Sequence, residues 1–284
     1  MLRLSSYTEY YNTLSDYNTF NTYSSRTGQI GNRMIDGFYS QTYPSGTAPT
    51  VYNSITPRTM TKNDVGAIPL PLISNGGFLN ILGYQNSTTA ISNVHIVFDR
   101  LVEVGAISAN STSLQTFSTG TLPRYQNDKN IVCIVEPGTN LASGTQQRAT
   151  LTYTNQDGVS GRTGFCSIGG GDFGTTHSAR FLRLQAGDSG VRSVESLQLD
   201  GTILATANRI NIVLAKCHGM FVSSGVLMNN TSAFANLING NMVGGLTNIH
   251  SDACLFFVRA IFNVTGFNDG TIMGNVIIKE NYEI

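Results

Sequence analysis

The chain has 284 residues, with 17 Lys plus Arg against 17 Asp plus Glu, and charged residues make up only 12% of it. Balanced charge offers no basic field for counterion release, which argues against nucleic acid as a main partner. No apolar run reaches the ~18–20 residues that span a bilayer, and the start MLRLSSYTEYY lacks the apolar core of a signal peptide. The charge is about half the roughly 25% of an ordinary globular chain, and Ser, Thr, Asn, Gln and Gly supply the polarity. Such a surface hydrogen-bonds without repelling, so it suits permanent packing against other chains. The length fits one large β domain or two small ones, with ample residues for a buried core.

In chain order, Leu4, Tyr7, Tyr11 and Leu14 recur at spacings of three and four, with Tyr10 and Tyr17 alongside. This predicts a helix with Ser6 and Glu9 as a capping box and Gly28 and Gly31 at its end. A stripe of tyrosines has apolar bodies and polar tips, a composition favoured at interfaces. Tyr7, Tyr11, Leu14 and Tyr17 are therefore the expected partner-binding residues; packing on the chain's own domain is the competing reading. Residues 41–75 hold Pro44, Pro49, Pro57, Pro69 and Pro71 in a Thr/Ser/Asn/Gly-rich setting and read as an extended arm. The expected division is an arm over 1–68 and a β domain over 69–284.

From Phe78 onward the pattern is one of strands. The candidates are Phe78–Tyr84, Val94–Val104, Ile131–Glu136, Ala149–Tyr153, Ala179–Leu184, Val191–Leu199, Asn211–Ala215, Leu255–Asn263 and Ile272–Lys279. They are rich in Val, Ile, Phe and Tyr and are separated by Gly, Asn, Asp and Pro clusters. Val94, Ile96 and Phe98, like Val191, Val194, Leu197 and Leu199, alternate only in part, so the buried face is not assigned. Thr231–Gly240 is read as a short helix. So many short strands predict an antiparallel β-sandwich, jelly-roll-like, behind an N-terminal helical and extended arm.

Five sets of residues invite a chemical reading. Gly187-Asp188-Ser189-Gly190 matches the nucleophile loop of chymotrypsin-like proteases, where serine needs an imidazole and an orienting carboxylate. His95 and Asp128 or Asp157 have the right chain order, but His95 sits in SNVHIVFD and Val191 follows where those enzymes carry glycine. A tight turn is the stronger reading. Gly169-Gly170-Gly171-Asp172 lacks the Gly-Lys-Ser/Thr of a phosphate loop and reads as a loop. Cys217, His218, His250 and Cys254 have metal-ligand chemistry, but neighbours on a strand point to opposite faces, so Cys217 and His218 cannot share one ion. Asp99, Glu103, Asp157, Asp172 and Asp188 do not form a calcium loop of the EF type. Asp99-Arg100 lies inside the apolar run VHIVFDRLVEV and predicts a structural ion pair, with Glu103, Glu195 or a neighbouring subunit as Arg100's partner. No catalytic, cofactor or metal residue is assigned. Cys133, Cys166, Cys217 and Cys254 are expected reduced, in a chain made in a reducing cytoplasm. The sequons at Asn86, Asn110, Asn230 and Asn263 are read as accidents of composition.

FDRLVEVGAIS (Phe98–Ser108), LPRY (Leu122–Tyr125), YTNQDGVSGRT (Tyr153–Thr163), LQAGDSGVRSVESLQL (Leu184–Leu199), LAK (Leu214–Lys216) and DACLFF (Asp252–Phe257) occur in that order. The series resembles a family of tailed-bacteriophage virion proteins described as capsid decoration or cement-like, over about Gly77–Lys279. The two long strings beginning YTNQ and LQAGDSG carry most of its specificity. The resemblance implies a non-enzymatic, β-rich virion component present in many copies, with the major capsid protein as partner, homo-oligomeric packing and a place on the capsid surface. The alternatives are a neck or tail component, a carbohydrate-binding receptor module (weakened by the absence of Trp), and, most remotely, a serine hydrolase at Ser189.

Overall fold

The computed structural model describes residues 17–24, 33–36, 38, 49–68, 77–86, 92–139, 146–170, 178–202, 208–224, 232–233, 247–261 and 270–278. Regular structure among them is almost wholly β. In chain order the strands are β1 (Tyr17–Ser24), β2 (Arg33–Asp36), β3 (Arg58–Thr59), β4 (Gly77–Asn86), β5 (Ser92–Ser108), β6 (Gln115–Thr116), β7 (Ile131–Pro137) and β8 (Gln147–Asn155). Then come β9 (Arg162–Ile168), β10 (Arg180–Phe181), β11 (Val191–Leu199), β12 (Arg209–Ser224), β13 (Ser232–Ala233), β14 (Thr247–Ile249), β15 (Leu255–Ile261) and β16 (Gly270–Ile278).

Among the described residues these strands form three antiparallel sheets. A seven-stranded sheet runs β10-β7-β12-β5-β15-β2, with β3 also on β5; a four-stranded sheet runs β6-β11-β8-β9; a five-stranded sheet runs β1-β16-β4-β13, with β14 also on β4. The first two pack face to face as a sandwich. Their shared core takes Leu101, Val104 and Ile107 from β5 and Ile212 and Leu214 from β12. Opposite them lie Leu151 and Tyr153 from β8 and Val194 and Leu197 from β11, all at most 1% exposed. In β8 the inward residues Ala149, Leu151, Tyr153 and Asn155 alternate with half-buried Thr150, Thr152 and Thr154. This is the period-two pattern of a sheet with one wet face.

Central strands β5 and β12 are buried on both faces over 97–105 and 210–215, which is why their sequences do not alternate there. The second face of the large sheet carries Phe98, Ile134, Val213, Ala215, Phe256 and Val258, packed under Phe38, Met60 and Ala67. The described stretch 49–68 of the expected arm thus covers this face, pinned by backbone bonds from Met60 N to Leu101 O and from Ile68 N to Leu255 O. In β11, Val191, Val194, Leu197 and Leu199 are all buried although spaced three, three and two. Register shifts between Val191 and Ser193 and between Val194 and Ser196 explain this. Each bulge adds a residue and restores the apolar phase.

Two helix expectations require correction. Tyr17–Ser24, placed within the N-terminal helix, is a strand paired with β16 from Tyr17↔Ile277 to Ser24↔Gly270. Its sequence YNTFNTYS is dense in Thr, Tyr and Phe, which favour a pleated surface, and β16 supplies a complete hydrogen-bond ladder. Leu4, Ser6, Glu9, Gly28 and Gly31 lie outside the described residues. In the proposed helix Thr231–Gly240, Ser232 and Ala233 pair instead with Gln85 and Tyr84 of β4; the remainder is outside the described residues.

Candidate functional site

Of the expected partner-binding residues, Tyr7, Tyr11 and Leu14 lie outside the described residues, and Tyr17 opens β1 opposite Ile277. The structure does not bring these four together as a described surface.

It does bring together the two strings that carry the resemblance. The β8–β9 hairpin turns at Asp157-Gly158, where Gly158 takes φ +83°. This turn places Tyr153, Asn155 and Gln156 against the loop before β11. The Asp188 carboxylate accepts bonds from Tyr153 Oη at 2.5 Å, Asn155 Nδ2 at 2.8 Å, and Arg162 Nε and Nη2 at 2.9 and 3.2 Å. The Gln156 side-chain oxygen accepts from the backbone N–H groups of Ser189 and Gly190 at 2.9 and 3.2 Å. Gly190 is required sterically, since a Cβ there would lie 2.2 Å from the Lys129 carbonyl oxygen. Its donors, Arg162 foremost, hold the Asp188 carboxyl down to about 2. Burial above all pushes the Tyr153 hydroxyl up to about 12, so it stays a donor.

Ser189 Oγ donates to the Lys129 carbonyl at 3.3 Å, a bond to backbone rather than to an imidazole. Asp128 pairs with Lys216 at 2.6 Å, and exposed Asp157 pairs with Lys129 at 3.3 Å. His95 lies in β5, opposite Phe221 and Arg259. Ser189, Asp128 and Asp157 are thus engaged elsewhere, and Gly187–Gly190 is a clamped turn in which Gly187 adopts φ +91°.

A second polar cluster lies on the covered face of the large sheet. Arg100, fully buried, donates to both oxygens of Glu136 at 3.0 and 2.8 Å and to Glu103 at 3.0 Å. Glu103 also accepts from Arg58 at 2.7 Å and from Asn211 Nδ2 at 3.0 Å. Each of these buried carboxylates is met by a guanidinium, the condition for tolerating such charges. The Arg100 guanidinium lies 4.5 Å from the Phe38 ring centroid and 5.4 Å from that of Phe256. Asp99 is held by Arg124 and accepts from the Cys254 backbone N–H at 2.8 Å. The expected ion pair is present, with Glu136 joining Glu103 as Arg100's partner. Glu195 instead accepts from Thr154. Arg124 and Glu136, remote in sequence from Asp99-Arg100, carried no local signal for these roles.

Tyr125, at φ +59°, accepts from the His250 backbone N–H at 3.1 Å. Its ring meets those of His218 and His250 edge-on, at 5.9 and 6.4 Å between centroids. Burial, reinforced by Lys216, pushes His218 down to about 3, so it is neutral. Cys254 and Cys217 face burial that raises both thiols. Among the described residues no group of three or more His, Cys, Asp or Glu is placed to hold a metal ion, and no helix is long and apolar enough to cross a membrane.

No protein-family model matches the chain, and no curated protein matches it. Among solved structures, the chain is similar to infectious bursal disease virus, Gx strain, with TM-score 0.21 and 11% identity over 92% of this chain and 78% of that one. It is also similar to the VP2 subviral particle of infectious bursal disease virus, with TM-score 0.18 and 11% identity over 94% and 82% of the two chains. These scores are low, and the superposition by itself establishes neither a shared fold nor a shared role.

Proposed function

We propose that this chain is a non-enzymatic structural protein of a phage particle that binds the capsid as a cement or decoration protein and stabilises it by bridging neighbouring capsid subunits. The observation that carries this reading is the meeting of YTNQDGVSGRT and LQAGDSGVRSVESLQL, the strings most specific to the decoration-protein resemblance, in one clamp. Tyr153, Asn155, Gln156 and Arg162 from the first string spend their polar groups on Asp188, Ser189 and Gly190 of the second. That is a motif that shapes a turn, with each group engaged in holding backbone or carboxylate. The low charge of the chain fits the same role. The outward side of β8 presents Thr150, Thr152 and Thr154, a polar surface suited to packing against copies and neighbours. Attachment arises from many weak polar and aromatic contacts multiplied by symmetry.

Quantitative mass spectrometry of purified virions tests the reading. Hundreds of copies in simple ratio to the major capsid protein are the expected result. A dozen or so would move the protein to the neck or tail and overturn the cement role. The N-terminal stripe is tested by deleting residues 1–16, which removes Tyr7, Tyr11 and Leu14 but keeps β1 on β16. Weakened attachment to heads with unchanged thermal unfolding is expected; equal attachment would remove the stripe as an anchor.

A further inference from the structure

Segment 180–184 leaves the large sheet and runs onto the outer edge of the small one. Leu182 N donates to Cys133 O in β7 at 2.9 Å, while Arg183 and Phe165 of β9 exchange backbone bonds at 2.9 and 3.1 Å. Phe165 therefore has β8 on one side and Arg183 on the other. From these two neighbours, the Arg148 guanidinium comes to 4.2 Å and the Arg183 guanidinium to 5.5 Å from the Phe165 ring centroid. They border an open depression of about 450 Å³ whose lining includes Thr163, Leu184 and Gln185 and, among the described residues, no carboxylate.

We propose that this depression is a docking point for an acidic segment of a partner protein, whose side-chain carboxylates are taken by Arg148 and Arg183. Three observations carry it. First, neither guanidinium has a carboxylate partner among the described residues. Asp200 accepts from the Arg148 backbone N–H at 2.8 Å rather than from its guanidinium, and Asp188 is taken by Arg162 in the clamp. Second, the polar lining is rich in donors. The Gln185 side-chain oxygen already accepts from Thr163 N at 3.3 Å, which leaves its amide N–H₂ as a donor beside the two guanidinium forks. An excess of donors suits an acceptor-only group, and the fork matches a carboxylate two bonds at a time. A neutral sugar, whose hydroxyls must also donate, is poorly served. Third, the ring holds the two side chains in place before binding, through cation–π contact, so less rotamer freedom is lost on docking. The Gln185 position is itself fixed by the clamp, since its N–H donates to Tyr153 Oη at 2.9 Å and its carbonyl accepts from Asp188 N at 3.1 Å. A chain with no net positive charge has no field to hold a phosphate backbone, which favours protein carboxylates over nucleic acid.

The test uses the full chain and fluorescein-labelled hexaglutamate, read by fluorescence anisotropy at low salt. Hexaglutamine, oligothymidylate and sialyllactose compete as controls. Expected are saturable hexaglutamate binding, a loss of tenfold or more in the double variant R148Q/R183Q, and a several-fold loss in R148K/R183K, which keeps charge but not the fork. Thermal unfolding checks that both variants fold; the Arg183 bonds to β9 are backbone and survive substitution. Absent hexaglutamate binding, or equal binding by folded R148Q/R183Q, would overturn the proposal. Stronger competition by oligothymidylate or sialyllactose would reassign the depression to phosphate or to an anionic sugar, and would also overturn it. None of these outcomes bears on the capsid role, which copy number decides.

Discussion

Replacing Asp188 by Ala should destabilise the protein by about 3 kcal/mol. The carboxylate is 3% exposed in its side chain and accepts four hydrogen bonds. Its loss leaves the Tyr153 hydroxyl and the Asn155 amide without their acceptor, at about 1 kcal/mol each. Arg162, whose side chain is 26% exposed, turns partly to water, and its loss adds about 1 kcal/mol more. For a chain of this size that corresponds to a fall in Tm of roughly 6–12 °C by differential scanning calorimetry. Ser189→Ala is the internal control. It removes one long bond from an exposed hydroxyl and should cost less than about 0.5 kcal/mol. Acid titration supplies a second readout. A carboxyl lowered to about 2 contributes stability that is fully present above the unfolded value of roughly 3.9 and lost as pH falls through the folded value. The wild-type protein should therefore lose stability between about pH 4 and pH 2 more steeply than D188A. The clamp is refuted if D188A melts within about 2 °C of wild type, or if S189A is as damaging as D188A.

Three further outcomes are expected. Arg124→Met strands Asp99, whose side chain is 0% exposed, and should cost about 3–5 kcal/mol by urea unfolding; a shift under about 1 kcal/mol would mean that Asp99 is not charged in the native state. Gly190→Ala drives a Cβ to 2.2 Å from the Lys129 carbonyl oxygen, whereas Gly161→Ala meets nothing within 4 Å and only adopts an unfavourable φ of +74°. The first should cost well over about 2 kcal/mol and the second about 1 kcal/mol, so equal melting temperatures would refute the packing at Gly190. Burial raises the Cys133, Cys166 and Cys254 thiols, Cys166 to about 12. Ellman's reagent at pH 8 should therefore find these three only after denaturant is added; rapid labelling of the native protein would contradict their burial.

Strand-forming residues between turn formers determined much of the fold by themselves. Val191–Leu199 is read from sequence with the bounds it has in the structure, and Ile131–Glu136 falls one residue short of β7. Local chemistry is sufficient there, because β-branched and aromatic residues bounded by Gly, Asn and Asp need no distant information to be extended. The charged pair Asp99-Arg100 likewise announced a buried ion cluster, since charges within an apolar strand must be neutralised. What the tertiary structure alone decided is every pairing across long separations. Tyr17–Ser24 is a strand because β16 completes its ladder from the other end of the chain. The broken alternation of β11 became one buried face through bulges set by its partner β8. Asp188 is a clamp rather than part of a nucleophile loop because Tyr153, Asn155 and Arg162 close on it from 26 to 35 residues away. A turn motif specifies its own backbone, but the role of its side chains is set by which groups the rest of the fold brings within hydrogen-bond reach.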